Sequence, residues 1–364
     1  MSDHEIVIGS CSVLDGRVSQ LGRQLVMGAT AYFDMVNESG GVNGRKIVLR
    51  AYDDDYDPDR VPACFGRLLD DKVFAGAFFV GTPTAARYVP LAEARHFPIV
   101  GLFTGAECLY TPLKRYVLNA RASYRDETRM QIDILWARGL RRIAIIYPDD
   151  AFGLAVLDGV KAALKKHGSA PAATAHYVRK SALVAEAVEA VRRVDPQAVV
   201  LVGPYGPVAA MLRKAAKESW APQFLSVSFV GTDELIREAG AAAEGMIITQ
   251  VLPPPSAVDV PTVALYRKQM ALRFPDAELG YVGLEGFVDA MVLVEGLKRA
   301  GKNLTREKLI TALESMHDVD LGLGPDLKLS FSPSDHKGFH TVFATLVHGG
   351  VAVPLKGRQL LARK

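Results

Sequence analysis

Short apolar runs alternate with amphipathic segments along this chain, and the alternation plays through once, pauses and begins again. The first strand, residues 6–9, leads through the glycine-punctuated loop SCSVLDGRVSQLG into an amphipathic segment, 23–37, and a Ser39-Gly40-Gly41 turn. A second strand, 46–52, runs out in Asp53, Asp54, Asp55 and Asp57-Pro58, and a helix follows over 61–71. Strands at 77–80 and 97–103 each end in small and hydroxylated residues. Strand followed by helix, repeated, predicts a parallel sheet with right-handed crossovers. The stretch YVLNARA, 116–122, interrupts the pattern. Ser123 then opens a helix with Asp126 three residues on, a capping box, and the rhythm restarts: strands at 142–147, 175–178, 198–202 and 223–227 alternate with helices at 152–167, 184–194 and 208–219. A further strand, 245–251, stops at Pro253-Pro254-Pro255. Helices at 260–273, 280–300 and 305–316 follow, and strands at 341–347 and 351–354 make a hairpin around Gly349-Gly350.

This order predicts an α/β protein of two Rossmann-like lobes, each a parallel sheet flanked by helices, joined by a three-segment hinge. Lobe 1 takes residues 1–121 and 253–328, and lobe 2 takes 122–252 and 329–364. A length of 364 residues, 49% hydrophobic, suits two domains better than one. The formal net charge of +3, from 43 basic and 40 acidic side chains, makes no basic stripe, so no nucleic-acid partner is expected. No apolar run reaches the roughly eighteen residues that span a bilayer. The first strand begins too soon after Met1 for a secretory signal, which leaves two readings open: a cytosolic protein, or one whose export signal has been replaced by a start codon. Cys11, Cys64 and Cys108 are too few and too scattered for a disulfide framework; one bridge can form, but each reads as a buried thiol.

Catalytic signatures are absent. The sequence holds no G-x-G-x-x-G after a strand, no Walker A, no G-x-S-x-G and no H-E-x-x-H, so neither an enzyme nor a cofactor is expected. His336 and His340 read as surface histidines rather than metal ligands. The chemistry instead collects where strands end, the place at which open α/β sheets bind ligands. In AGAFFVGTPTAA, 75–86, Thr82 can cap a helix whose first position is Pro83, with Thr84 adding a second hydroxyl. Unpaired N–H groups and hydroxyls converging at a helix start suit a carboxylate or phosphate. Other polar or aromatic strand ends carry Thr104, Gly105 and Ala106; Asp149, Asp150 and Phe152; Gly203 and Tyr205; and Ser228 and Phe229. Phe152, Tyr205 and Phe229, taken singly, read equally well as core residues, Tyr205 least so because it stands in a Gly-Pro-Tyr-Gly-Pro loop.

Seven short motifs in register make the chain resemble the type I periplasmic binding proteins of the leucine/isoleucine/valine-binding group. They are IVIG with a following DGxxxxLG loop (Asp15, Gly16, Leu21, Gly22), GGVNGRKI at 40–47, YDDDYDP at 52–58, VGTPT at 80–84, FTGAE at 103–107, DDAFG at 149–153 and LEGFVDA at 284–290. The resemblance implies two lobes closing on a small ligand, with the turns carrying Thr82, Thr84, Phe103, Thr104, Gly105 and Ala106 holding its α-carboxylate. It implies an aromatic from the second lobe at Phe152 and a tyrosine at Tyr205. Near Phe229 the family often places a carboxylate for an ammonium group; this chain offers none there before Asp233, which leaves Asp150 or Glu285, or a ligand with no amino group. The loop aromatic usual near Leu21 is missing as well. The implied protein is a monomeric periplasmic receptor for a small amino acid, branched-chain or a related aliphatic, partnered by the membrane permease of an ABC importer; the alternatives are a receptor for an aromatic or other small carboxylate or amide, or a ligand-sensing subunit of a signalling system.

Overall fold

The protein is described by a computed structural model over residues 2–355. It divides into two units, Met1–Ala122 with Leu252–Thr341 and Ser123–Val251 with Val342–Lys364, so the chain passes between them three times. In chain order unit 1 begins with β1 (Glu5–Ser12), α1 (Ser19–Glu38), β2 (Lys46–Asp53), α2 (Val61–Asp70), β3 (Ala75–Ala77), α3 (Thr82–Ala94), β4 (Ile99–Val100) and β5 (Val117–Leu118). Unit 2 follows with α4 (Tyr124–Ala137), β6 (Ile143–Pro148), α5 (Ala151–Lys166), β7 (Ala173–Tyr177), α6 (Ala185–Arg192), β8 (Ala198–Leu201), α7 (Tyr205–Lys217), β9 (Gln223–Ser226), α8 (Thr232–Ala239) and β10 (Ile247–Gln250). The chain returns to unit 1 for α9 (Pro261–Arg273), α10 (Tyr281–Ala300), α11 (Arg306–Glu314) and the short pair β11 (Val319–Asp320) and β12 (Lys328–Leu329), and ends in unit 2 with β13 (Phe343–His348) and β14 (Val351–Pro354).

Unit 1 holds a five-stranded sheet in the order β2-β1-β3-β4-β5, parallel throughout. Unit 2 holds seven strands, β14-β13-β10-β9-β8-β6-β7. Its first five in sequence are parallel, but β13 runs antiparallel to β10 and pairs with β14 through the glycine turn, so the second sheet is mixed rather than parallel. The Ser123–Asp126 capping box forms at the start of α4.

Helix starts differ from the sequence reading for identifiable reasons. The buried face of α1 extends back through Leu25 to Leu21, one helical turn before the segment predicted, so Leu21 lies in the helix and not in the preceding loop. α7 begins at Tyr205 with Pro204 as its N-cap, which removes Tyr205 from the Gly-Pro loop and leaves it 3% exposed. α8 was not anticipated; it starts from Gly231 in the left-handed region and carries Asp233 and Glu234 in its first turn.

Three further expectations are corrected. Cys11 in β1 and Cys64 in α2 are joined in a disulfide within the unit 1 core, where each had been read as a buried thiol, while Cys108 is an exposed free thiol. Residues 329–341, assigned to lobe 2, belong to unit 1, because they run along the end of β5: Asn119 N donates to His336 O at 3.0 Å and Gly338 N to Asn119 O at 2.9 Å. His336 is accordingly buried, with Nδ1 at 2.9 Å from Lys114 O and Nε2 at 3.2 Å from Glu314, and is no surface histidine.

The returning helices are seated on α1 by glycine. A Cβ at Gly28 would lie 1.9 Å from Gly283 O, and one at Gly286 would lie 1.9 Å from Leu25 O, so the backbones of α1 and α10 touch with no room for a methyl group. Gly28→Ala should therefore force the helices apart and lower the unfolding free energy by about 1–3 kcal/mol, although alanine favours the isolated helix. Urea denaturation measures this, and an unchanged or raised midpoint would contradict the packing.

Candidate functional site

In unit 1 the candidate site grows from the place where β3 breaks off. Phe78, just beyond β3, takes φ of +62°, and Val80 forms an isolated parallel bridge to Phe103. Gly81 follows at φ +95° with the ring of Tyr56 against it; a Cβ there would sit 1.9 Å from Tyr56 Cε2. Only glycine fits on both counts. Gly81, not Thr82, is the N-cap of α3, and Thr82 occupies the first helical turn with Pro83. Freed from capping, the Thr82 hydroxyl lies 2.7 Å from the Thr104 hydroxyl. Thr84 turns back instead: its hydroxyl donates to Val80 O at 2.6 Å and Gly81 O at 3.1 Å, so its proton is used within the turn.

The second turn is bound to the first. Gly81 N donates to Phe103 O at 3.1 Å, Phe103 N to Phe79 O at 2.8 Å, and Ala106 N reaches Thr104 Oγ1 at 3.4 Å. Asn119, in the stretch after β5, spans it from behind: Nδ2 donates to Thr104 O at 2.8 Å and Oδ1 accepts Leu102 N at 2.9 Å. Thr82, Thr84, Phe103, Thr104, Gly105 and Ala106 are all buried. Thr82, Phe103, Thr104 and Ala106 thus form one constellation, and the first turn of α3 leaves the N–H groups of Thr82 and Thr84 without intrahelical acceptors beside it.

Two charged groups back these turns. Asp54 is fully buried, accepts Tyr56 N at 2.9 Å and the Tyr88 hydroxyl at 3.0 Å, and so ties the acidic loop after β2 to α3 one turn beyond Thr84. Burial pushes its carboxyl up to about 6, against the pull of those two hydrogen bonds. Behind β4, Arg121 and Glu285 form a buried ion pair at 3.2 Å, with the guanidinium 5.0 Å over the Phe103 ring. Asp289, one turn along α10, lies against Gly101; burial and the charge of Glu285 drive its carboxyl well above the usual range, although Arg121 pulls the other way. Glu285, one of two acids expected to meet an ammonium group, is thereby committed to Arg121.

In unit 2, Asp150 is the N-cap of α5, accepting Phe152 N at 2.9 Å and Gly153 N at 3.0 Å, with Arg179 Nε at 3.1 Å. Its carboxyl is raised by burial against those partners. The second acid expected to meet an ammonium therefore serves the fold. Phe152, fully buried, packs between Tyr124 and Phe229 at ring separations of 5.3 and 4.5 Å. Leu21 and Tyr205 are buried in α1 and α7. Sequence reasoning missed Asn119, Arg121, Asp54 and Glu127. Glu127, from the first turn of α4, accepts Ser228 N at 2.7 Å, Ser228 Oγ at 2.9 Å and Thr249 Oγ1 at 2.7 Å, placing an acid beside Phe229 that a search of the local SVSFVG stretch could not find. Polar residues inside the otherwise apolar YVLNARA were the one available signal for Asn119 and Arg121. Among the described residues no cluster of three His, Cys, Asp or Glu is placed to hold a metal ion, and no helix is long and apolar enough to cross a membrane.

The raised carboxyl of Asp54 has a definite sign in stability. The unfolded chain releases this proton near pH 4 and the folded chain near 6, so the carboxyl contributes stability below about pH 4 that is lost as pH rises through about 6. Asp54→Asn keeps an acceptor for Tyr56 N and removes the charge. Its stability relative to wild type should climb by roughly 3 kcal/mol between pH 4 and pH 7. Chemical denaturation at the two pH values checks this, and a pH-independent difference would refute it.

Residues 5–350 match the periplasmic binding protein family. The Leu/Ile/Val-binding protein BraC3 of Rhizobium johnstonii is 25% identical over 333 residues, 88% of this chain and 86% of the relative. Leu/Ile/Val-binding protein homolog 3 of Brucella melitensis aligns at 26% identity over 168 residues, 45% of this chain and 45% of that relative's length. A solved structure described as a possible leucine/isoleucine/valine-binding protein from Rhodopirellula baltica superposes with a TM-score of 0.92 at 32% identity, covering 99% of this chain and 98% of that one. The chain belongs to the periplasmic binding protein family, in the type I leucine/isoleucine/valine-binding group, a family of solute-binding proteins and not of enzymes.

Proposed function

We propose that this protein is a periplasmic receptor for a small amino acid, branched-chain or a related aliphatic, and delivers it to the membrane permease of an ABC importer. The observation that carries the reading is the Thr82–Thr104 hydroxyl pair, 2.7 Å apart at the start of α3. Two hydroxyls and the adjoining backbone N–H groups are donors without a cation, which is what a ligand carboxylate needs from a site that must also release it. The named specificities of the relatives favour leucine, isoleucine and valine as first candidates. The Cys11–Cys64 bridge supports export, since structural disulfides persist in oxidising compartments and are rare in the cytosol. A second reading, an aromatic carboxylate as ligand, is favoured by the Tyr124, Phe152 and Phe229 rings of unit 2.

Titration calorimetry on ligand-free protein separates the roles of the threonines. Thr82→Val keeps the shape and removes a donor, and should weaken leucine binding roughly tenfold to a hundredfold, as loss of a hydrogen bond to a charged group does. Thr84→Val removes a hydroxyl already engaged with Val80 O, and should lower stability while leaving affinity near that of wild type. The reverse ranking would mean that Thr84, and not the Thr82–Thr104 pair, holds the carboxylate. Thermal shift across amino acids and aromatic acids then ranks the ligands: at about 100 times its dissociation constant a true ligand adds roughly 2.7 kcal/mol.

A further inference from the structure

We propose that Asn119 is a positioning residue that ties ligand binding at the Thr104 turn to both points at which the chain leaves unit 1. The inference rests on the reading of the Thr82–Thr104 pair as the carboxylate anchor of an amino-acid receptor, and adds how occupancy of that anchor is passed on. Asn119 is 1% exposed, and its side chain and main chain serve different partners. The side chain serves the turn: Nδ2 donates to Thr104 O at 2.8 Å and Oδ1 accepts Leu102 N at 2.9 Å. The main chain serves residues 336–339: Asn119 N donates to His336 O at 3.0 Å, Gly338 N to Asn119 O at 2.9 Å and Phe339 N to Ala120 O at 2.6 Å, around a parallel bridge of Asn119 with Lys337. Tyr110 repeats the link, its hydroxyl accepting from Asn119 Nδ2 at 3.3 Å and donating to Arg121 O at 3.2 Å.

Both stretches that meet at Asn119 run straight to an exit. The first portion of unit 1 ends at Ala122, three residues after Asn119, and the second at Thr341, three residues after Gly338. The two run parallel, so both exits continue from one hydrogen-bonded pair of segments. β4 covers only Ile99–Val100, in register with Val117 and Leu118 of β5, and beyond that ladder the Asn119 amide carries the connection on to residues 102–104. Leu102 and Thr104 are fully buried, so freeing either end of the amide would leave a buried backbone N–H or C=O without its partner. A carboxylate taken up by the Thr82 and Thr104 hydroxyls restricts the turn. The planar amide, bonded at both ends, hands that restriction to the paired segments through contiguous hydrogen bonds.

Hydrogen exchange on the full chain, with leucine as the ligand, tests this at Gly338 N and Phe339 N. In wild type, saturating leucine should slow both amides by about threefold or more beyond any change in β2, at the far edge of the five-stranded sheet. Asn119→Leu is close in size, removes both side-chain bonds and keeps the backbone pairing. It should weaken leucine binding about tenfold and, once saturated, show no slowing at the two amides beyond that in β2. Asn119→Asp, which keeps an acceptor for Leu102 N and loses the donor to Thr104 O, gives the same reading if Asn119→Leu does not fold. Slowing in wild type no greater than in β2, slowing that persists in the variant, or a variant that binds leucine as wild type does would each overturn the proposal. Without ligand, the variant should exchange Gly338 and Phe339 faster than wild type, and an unaltered rate refutes the link whether or not leucine binds. Wild type that binds none of leucine, isoleucine and valine, with that rate raised in the variant, refutes the amino-acid receptor and leaves the link from turn to exits standing.

Discussion

Asn119 is the residue through which the unit 1 site is tied to its sheet. Its amide donates to Thr104 O and accepts Leu102 N, while its backbone pairs with residues 336–338. A short strand, β4, is thus fixed at its end by a side chain from its neighbour rather than by a longer ladder. Thr104 owes its orientation to that clamp, and the Thr82 hydroxyl owes its partner to Thr104. An asparagine suits the task because one planar group offers a donor and an acceptor in opposite directions, and both are used.

Around this clamp the protein buries more charge than a simple scaffold requires. Asp54 is held by Tyr88 and Tyr56, and Arg121 with Glu285 lies beneath Phe103. Buried ion pairs contribute little net stability, because desolvation offsets their attraction. Their value here is positional. Asp54 joins the acidic loop to α3, and Arg121 joins the segment after β5 to α10, so each fixes a turn of the candidate site against an element distant in sequence.

Much of the architecture was legible because it rests on periodicity. The strand–helix alternation, the capping box at Ser123 and the glycine hairpin at Gly349-Gly350 are local signals, and each corresponds to an element of the fold. The two turns of the candidate site were legible as strand ends for the same reason, in VGTPT and FTGAE. What escaped depends on long-range packing. Thr84 and Thr82 look equivalent in sequence, and only the placement of Tyr56 against Gly81 shifts the cap by one residue and turns one hydroxyl inward. Glu127 reaches Ser228 from another helix, and Cys11 meets Cys64 across a strand and a helix. Residues 329–341 carry no periodic pattern that would assign them to one unit, and backbone pairing with Asn119 decides it.

The glycine contact between α1 and α10 also bears on how the chain is made. α1 is separated from its partner α10 by the whole of β6–β10, so the apolar stripe that ends against Gly283 and Gly286 is covered only by a contact of high sequence separation. The β6–β10 segment, by contrast, pairs strands close in sequence and needs only the terminal hairpin to finish its sheet. Unit 2 therefore closes most of its contacts locally, whereas unit 1 waits for its returning helices, and the Cys11–Cys64 link, both ends of which lie ahead of α3, ties its N-terminal segment once the chain reaches an oxidising compartment.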